Sequence, residues 1–310
     1  MKTIAILYTQ TNKKGSARPF SGAHQEYQKY YQLLYNLGEK HRLRFMRAPL
    51  RWISNDGRVK KAWFLENGVW HIRNFQKKPD VFWNKLKGTQ EELQYLMRLE
   101  NKVPVINATY LEMSMTNKFF TYLLFSEYFQ QTWLVRNSAE LKAHLKKIKD
   151  RKVVLKPLMG SGGESVLIES PKMLAQYQPK RTMLLQKFID TSHGIPGVMR
   201  GRHDMRIHIL NNKIFCAEYR TPPQNSLIAN ITRGGSLHYL AKNKIPTKAT
   251  ALAKKVTKRF HDILPHFYAI DMAFDPQGKP FLIELNAKPG ILFDYPQKMH
   301  ILTTLIREYF

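Results

Sequence analysis

Apolar and polar positions fall into short runs whose period switches between two and about 3.6. "TIAILY" (3–8), "RLRFMRA" (42–48) and "PDVFWNK" (79–85) predict strands, with a hairpin around Asn67-Gly68 between the last two. Helical spacing covers 24–40 and 89–100, and "VPVIN" predicts a short strand. Strands alternating with helices predict a small α/β lobe ending near residue 107. Beyond it, "TNKFFTYLLFSEYF" (116–129) predicts a helix with Thr116 or Asn117 near its cap, and "TWLV" a strand. Ser138 is the expected cap of the next helix, which has Glu140 in its first turn and lysines in its last. "KVVLKPLMGSGGESVLI" reads as strand, glycine loop and strand, and "TMLLQKFID" as another strand. From residue 203 the expected pattern is mostly antiparallel: "HDMRIHIL", a turn at Asn211-Asn212, "KIFCAEYR", a polar loop, a helix over 247–262 and a final hairpin.

That hairpin joins "YAIDMAFD" (268–275) to "PFLIELNA" (280–287) and carries polar groups inside greasy strands. With Gln277 and Gly278 at the tip and Pro276 facing Lys279, Asp271 falls directly opposite Glu284, at about 4.5–5.5 Å between Cβ atoms. The period of two puts Asn286 on the face of Glu284, and Ile283 and Leu285 on the other. Two carboxylates this close repel unless a proton or cation lies between them. Hard oxygen donors at this spacing suit Mg²⁺; a solvated hairpin whose acids face water is the alternative.

At 310 residues, two or three packed lobes are expected. A 43% hydrophobic content excludes a disordered chain. Cys216 stands alone, which excludes an intramolecular disulfide, points to a reducing, cytoplasmic setting and fits a buried, inert thiol. No apolar run approaches the roughly 20 residues of a membrane span, and "TIAILY" is too short for a signal-peptide core. Fifty Lys and Arg against 23 Asp and Glu give a net charge of +27, spread over both halves. Such a balance suggests anionic surroundings, such as nucleic acid, a polyanionic coat polymer or acidic substrates; a generally solvated basic surface is the alternative, favoured over dedicated DNA binding. With neither a clustered basic arm nor a nucleic-acid motif, no specific nucleic-acid partner is expected.

"LKPLMGSGGESV" puts Lys156 at a strand end before Gly160, Ser161, Gly162 and Gly163. Glycines there let backbone N–H groups approach phosphates, with the lysine adding charge; a plain hairpin tip is the alternative. It is not a Walker A loop, since no Gly-Lys-Ser/Thr follows. Around it stand Lys118, "LLQKFID", "DMR" (Asp204, Arg206), "NITRGG" (Asn230, Arg233, Gly234, Gly235), Asp271 and "IELN", in that order. In this order the chain resembles the ATP-grasp superfamily of carboxylate–amine ligases over roughly residues 108–295, especially glutathione-synthetase-like and ribosomal-protein glutamate-ligase-like members. "KPxxGSxG" and "ELNAKPG" resemble the endospore-coat-associated YheC/YheD group.

The resemblance implies an α/β ATP-grasp fold with an N-terminal α/β pre-ATP-grasp domain at 1–107, a glycine-loop lobe at 108–190 and a metal-binding lobe at 191–310. It implies that Lys118 and Lys156 contact ATP phosphates while Gly160, Ser161, Gly162 and Gly163 fold over them. Gln186, Lys187 and Ile189 would lie on the strand that holds adenine, largely through backbone groups, although family members often carry an acid near Lys187. Asp271, Glu284 and Asn286 match ligands of two Mg²⁺, or of Mn²⁺, with Glu284 bridging. Arg206 and Arg233 match arginines near the γ-phosphate and acyl-phosphate, Arg220 and Asn230 line the same region, and Lys288 is placed to touch phosphate. Asp204 is expected to pair with Arg206, while His193, His203 and His208 take surface or core roles. The implied partners are ATP, an anionic carboxylate and an amine, with a spore-coat or polyanion association. A catalytically silent nucleotide-binding coat protein and a nucleic-acid module are the alternatives.

Overall fold

The computed structural model describes residues 1–9, 25–160, 163, 165–290, 303–304 and 306–307. Ser161 and Gly162 of the glycine loop lie outside the described residues, as does residue 24 of the first predicted helix. The chain forms two compact units, one gathering Met1–Tyr110 and Asp262–Phe267, the other Leu111–His261 and the stretch that begins at Tyr268.

The first unit runs β1 (Lys2–Tyr8), α1 (Gln25–Lys40), β2 (Leu43–Ala48), β3 (Val59–Glu66), β4 (Val69–Lys77), β5 (Val81–Lys85), α2 (Gln90–Glu100) and β6 (Val105–Ile106). Its sheet has the order β4-β3-β2-β1-β5-β6. β2, β1, β5 and β6 are parallel, and β3 and β4 form an antiparallel margin. Central β1 is buried from Ile4 to Tyr8, the unbroken apolar run of a strand covered on both faces. Asn67 and Gly68 both take positive φ (51° and 78°), as the turn between β3 and β4 requires. Thr89 and Glu92 close a reciprocal capping box at the start of α2.

Helix α3 (Thr109–Thr116), which the sequence pattern does not single out, leads into the second unit. There follow α4 (Lys118–Leu124), β7 (Thr132–Val135), α5 (Ser138–Leu145), β8 (Val153–Pro157), β9 (Leu167–Glu169), α6 (Pro171–Leu174) and β10 (Met183–Lys187). After these come β11 (Asp204–Leu210), β12 (Lys213–Thr221), β13 (Ser236–Leu240), α7 (Thr247–Arg259), β14 (Phe267–Phe274) and β15 (Pro280–Asn286). The strands make two sheets, β7-β10-β8-β9, antiparallel throughout, and β13-β12-β11-β14-β15. Val135, Leu141, Leu145, Ile148 and Leu155 are among the core residues beside the four-stranded sheet. No helix among the described residues is long and apolar enough to cross a membrane.

Several boundaries differ from expectation. The helix expected over 116–129 stops at Leu124, because Phe125 leaves helical geometry and buries its ring edge-on against Phe260. A single 3₁₀ turn, Ser126–Tyr128, follows. Asn137, not Ser138, caps α5, its side chain accepting from Glu140 N–H. The polar loop after β12 contains the edge strand β13, whose alternating exposure is too short a signal to stand out. Helix α7 ends at Arg259 instead of 262, where Phe260 turns into the core.

Candidate active site

The closing hairpin pairs Asp271 with Glu284, as the sequence predicts, but by a different route. Asp275 N–H bonds Lys279 O (3.0 Å), and Asp275 Oδ1 accepts from Gln277 and Lys279 N–H, so the loop is the three residues Pro276–Gly278. Gly278 supplies the positive φ (68°) that this loop length favours. The odd residue is taken up by a β-bulge: Asp271 faces Glu284, whereas Met272 faces Leu282. Ile283 is therefore unpaired, and it lines the same cleft as Glu284 instead of pointing away. Its freed carbonyl accepts from Lys156 Nζ at 3.1 Å.

Lys156 lies on β8 opposite Leu184 of β10, one diagonal step from Gln186 on the same face. Only 5% exposed, its ammonium also donates to Gln186 Oε1 at 2.9 Å. Gln186 is held in turn, donating from Nε2 to Thr132 Oγ1 at 2.8 Å. Burial lowers the Lys156 pKa to about 8, with Lys118 adding to the fall and Glu284 opposing it. Among the described residues, two of its three N–H donors are used. Asn117 caps α4 through Phe119 and Phe120 N–H and so fixes Lys118, the first helical residue. Lys118 Nζ donates to Gly160 O at 2.5 Å and stands 3.3 Å from Glu284 Oε2. Gly160 and Gly163 take φ of 116° and 69°, the left-handed region that favours glycine.

Beside these lysines, the five-stranded sheet carries a row of charges. Asp204 faces Arg220 and Arg206 faces Glu218 across β11 and β12. Arg206 grips Asp271 with a two-pronged fork, Nε to Oδ1 and Nη2 to Oδ2, both at 2.6 Å. Arg220 donates from Nη2 to the same Asp271 Oδ2 (3.2 Å) and from Nε to Asp204 Oδ1 (2.6 Å). Asp204 thus pairs with Arg220, not with its chain neighbour Arg206, because residues two apart on a strand run parallel on one face while opposed residues meet. Burial alone would raise the Asp271 pKa, but Arg206 and Arg220 hold it well below the usual carboxylate range. Burial, aided by Asp271, raises Asp204 to about 7 against the pull of Arg220.

A cleft of about 170 Å³ unites the pieces: Lys118, Lys156, Gly160, Gly163, Gln186, Lys187, Ile189, Asp204, Arg220, Asn230, Asp271 and Glu284 all line it. Asn286 sits two pairs further along β15, opposite Ala269, where its Oδ1 accepts from Lys288 N–H at 2.9 Å. Arg233 is exposed on its 3₁₀ turn, its side chain beside Gly163. The Lys288 ammonium pairs with buried Glu112 on α3, a partner that nothing in the local sequence pattern marks. The side-chain relay from Thr132 through Gln186 to Lys156 likewise escapes sequence reading, since only the registers of β10 on β7 and on β8 reveal it. His203 lines the cleft, yet its Nε2 accepts from Phe274 N–H (3.2 Å) and its Nδ1 bonds Gly201 O (3.1 Å), so it serves the walls. Cys216 is buried, and burial raises its thiol pKa. Among the described residues, no three His, Cys, Asp or Glu side chains gather as a metal cluster.

No curated protein sequence matches the chain. Among solved structures, the D-cycloserine synthetase DcsG is similar with a TM-score of 0.63 and 12% identity, covering 98% of this chain and 99% of that one. D-alanyl-alanine synthetase A from Vibrio cholerae O1 biovar eltor str. N16961 gives 0.62 and 13%, covering 99% and 98%. The ATP-grasp ligase PsnB complexed with minimal precursor, Mg and ADP gives 0.62 and 10%, covering 99% and 97%. At these identities the likeness is one of fold. The RimK-like ATP-grasp domain matches residues 125–307, more than half of the chain. Strand order, cleft and sequence match agree: this chain belongs to the RimK-like ATP-grasp family.

Proposed function

We propose that the protein is an ATP- and Mg²⁺-dependent carboxylate–amine ligase that forms an amide or peptide bond through an acyl-phosphate. The observation that carries this reading is a single cleft joining two lysine ammonium groups, a glycine loop and Glu284. A substrate carboxylate oxygen attacks the γ-phosphorus and ADP leaves; an amine then attacks the acyl carbonyl and phosphate leaves. Lys156, steadied by Gln186 and the Ile283 carbonyl, points its remaining donor at phosphate without reorganising. Lys118 turns from Glu284 and the Gly160 carbonyl to phosphate. Lys187 and Ile189 hold adenine through backbone groups. Arg220, Arg233 and Asn230 attend the transferring group, and Arg206 acts by positioning Asp271. No nucleophilic Ser or Cys is required.

Asp271, Glu284 and Asn286 are assigned to hold Mg²⁺, whose chemistry is to neutralise charge on the transferring phosphate. Two carboxylates and an amide oxygen form a hard donor set. Three guanidinium N–H groups on Asp271 leave one of its roughly four lone-pair sites, on Oδ1, while Glu284 is open to the cleft. The net charge favours an anionic carboxylate substrate. A structural neighbour, the Chryseobacterium gregarium RiPP-associated ATP-grasp ligase, is in complex with a leader and core peptide, which makes peptides fitting candidates. The wording "KPxxGSxG" and "ELNAKPG" supports the narrower YheC/YheD assignment, and with it a cytoplasmic, spore-coat-associated setting.

The second reading is nucleotide binding without turnover, and the arginine hold on Asp271 is what favours it. An ADP-release screen over amino acids, peptides and anionic polymers, with mass spectrometry of products, separates the two. The ligase reading expects ADP release stimulated by a carboxylate–amine pair, acidic ones foremost, with an amide product. ATP binding without stimulated release across the screen would leave the silent reading.

A further inference from the structure

Between α5 and β8 the chain reads "KKIKDRK" (146–152), five cations in seven residues. Ile148 is buried in the core beside the four-stranded sheet and pins the segment at its middle. Lys146, Lys147, Lys149, Arg151 and Lys152 are all exposed. Asp150, the only acid of the stretch, pairs with Lys187, whose Nζ stands 3.7 Å away. No ion pair neutralises the five cations among the described residues. Seven residues reach at most about 25 Å, so these charges repel one another inside a single segment.

We infer that this segment is a docking edge for an acidic polypeptide. Lysine ammonium groups are compact point charges on long flexible stems, suited to spaced carboxylates on an extended chain. A reader of nucleic acid bases would present aromatic faces for stacking. Residues 146–152 contain none, and nearby His144 is already stacked on Trp133. Helix α7 carries as many cations, but over thirteen residues, and Lys255 there lies over the Tyr128 ring. Docking needs neither ATP nor turnover, so it stands apart from the ligase reading.

The test is fluorescence anisotropy with labelled poly-L-glutamate at low and rising salt. One variant carries Gln at 146, 147, 149, 151 and 152; a control of equal charge carries Gln at 248, 254, 255, 258 and 259. A third variant carries Arg at the four lysines of the segment. The first should bind roughly tenfold or more weakly, the control within about threefold of the parent, and the Arg variant like the parent. Equal weakening of the first two would reduce the effect to net charge and overturn the inference. So would absence of binding to the parent at low salt, or an oligothymidylate of matched charge that binds the segment more tightly than polyglutamate.

Discussion

In the proposed ligase reading, nucleotide binding turns on Lys156. It is buried, oriented by two acceptors and titrates at about 8 in the free protein. Phosphate favours its charged form, so the complex holds that proton more tightly than the free protein does. ATP affinity should therefore be steady below about pH 8 and fall as pH rises through it. Calorimetry across this range, with Lys156→Ala roughly ten- to a hundredfold weaker at neutral pH, checks both statements. A flat profile with unchanged affinity in the variant would mean that the lysine does not face phosphate. Arg206 poses a different problem, since it neutralises a buried carboxylate. Arg206→Ala should cost about 3–5 kcal/mol in denaturant unfolding, because Asp271 is left under-compensated, and Arg206→Met with Asp271→Leu should recover part of that loss. A single-variant cost under about 1 kcal/mol would contradict the charge row. The pairing of Asp271 with Glu284 is legible from alternation across a hairpin, and it holds because the bulge offsets the longer loop. The fork from Arg206 is not legible, since it joins β11 to a strand 65 residues away, and no local pattern encodes that neighbour.

At the scale of elements, the hairpin shows how a right register can follow from a wrong turn. The sequence at Pro276-Gln277-Gly278-Lys279 suggests a two-residue tip, whereas Asp275 organises a three-residue loop and the bulge at Ile283 restores the pairing. The acceptor properties of Asp275 were visible in the sequence; the bulge was not, because it answers to Lys156 on another sheet. Strand β13 escaped for a simpler reason: five residues of mixed polarity after two glycines carry little signal. Helix α4 is short, and its cap decides where Lys118 stands. Asn117→Ala should cost about 1 kcal/mol, roughly 2–4 °C in melting temperature, and weaken ATP binding as well. Asn117→Asp keeps the acceptor and should restore both; failure of that rescue would show that the cap does not position the lysine.

Across the whole molecule, the α/β class and the succession of strands other than β13 are readable, because each unit repeats simple hydrophobic periods. The partition of the chain was harder: Asp262–Phe267 belongs with Met1–Tyr110, where Asn107 bonds the Phe267 backbone in both directions (2.8 and 2.6 Å). Only a contact between residues 160 apart reveals that return. Global stability also reports on the site. ATP with Mg²⁺ at a hundredfold excess over its Kd should stabilise the protein by about 2.7 kcal/mol. Glu284→Gln should lose the Mg²⁺-dependent part of that gain while melting normally without ligand, and an undiminished Mg²⁺ effect would remove Glu284 from the metal assignment.

The central claim, that a carboxylate is activated by phosphoryl transfer in this cleft, is tested most directly by isotope transfer. Candidate amino acids and peptides labelled with ¹⁸O in the carboxylate are incubated with ATP, Mg²⁺ and hydroxylamine as the amine, and the released phosphate is analysed by mass spectrometry. An acyl-phosphate route delivers one ¹⁸O from the carboxylate into each phosphate released, with ADP and a hydroxamate formed alongside. Stimulated ADP release with no label in phosphate would contradict it.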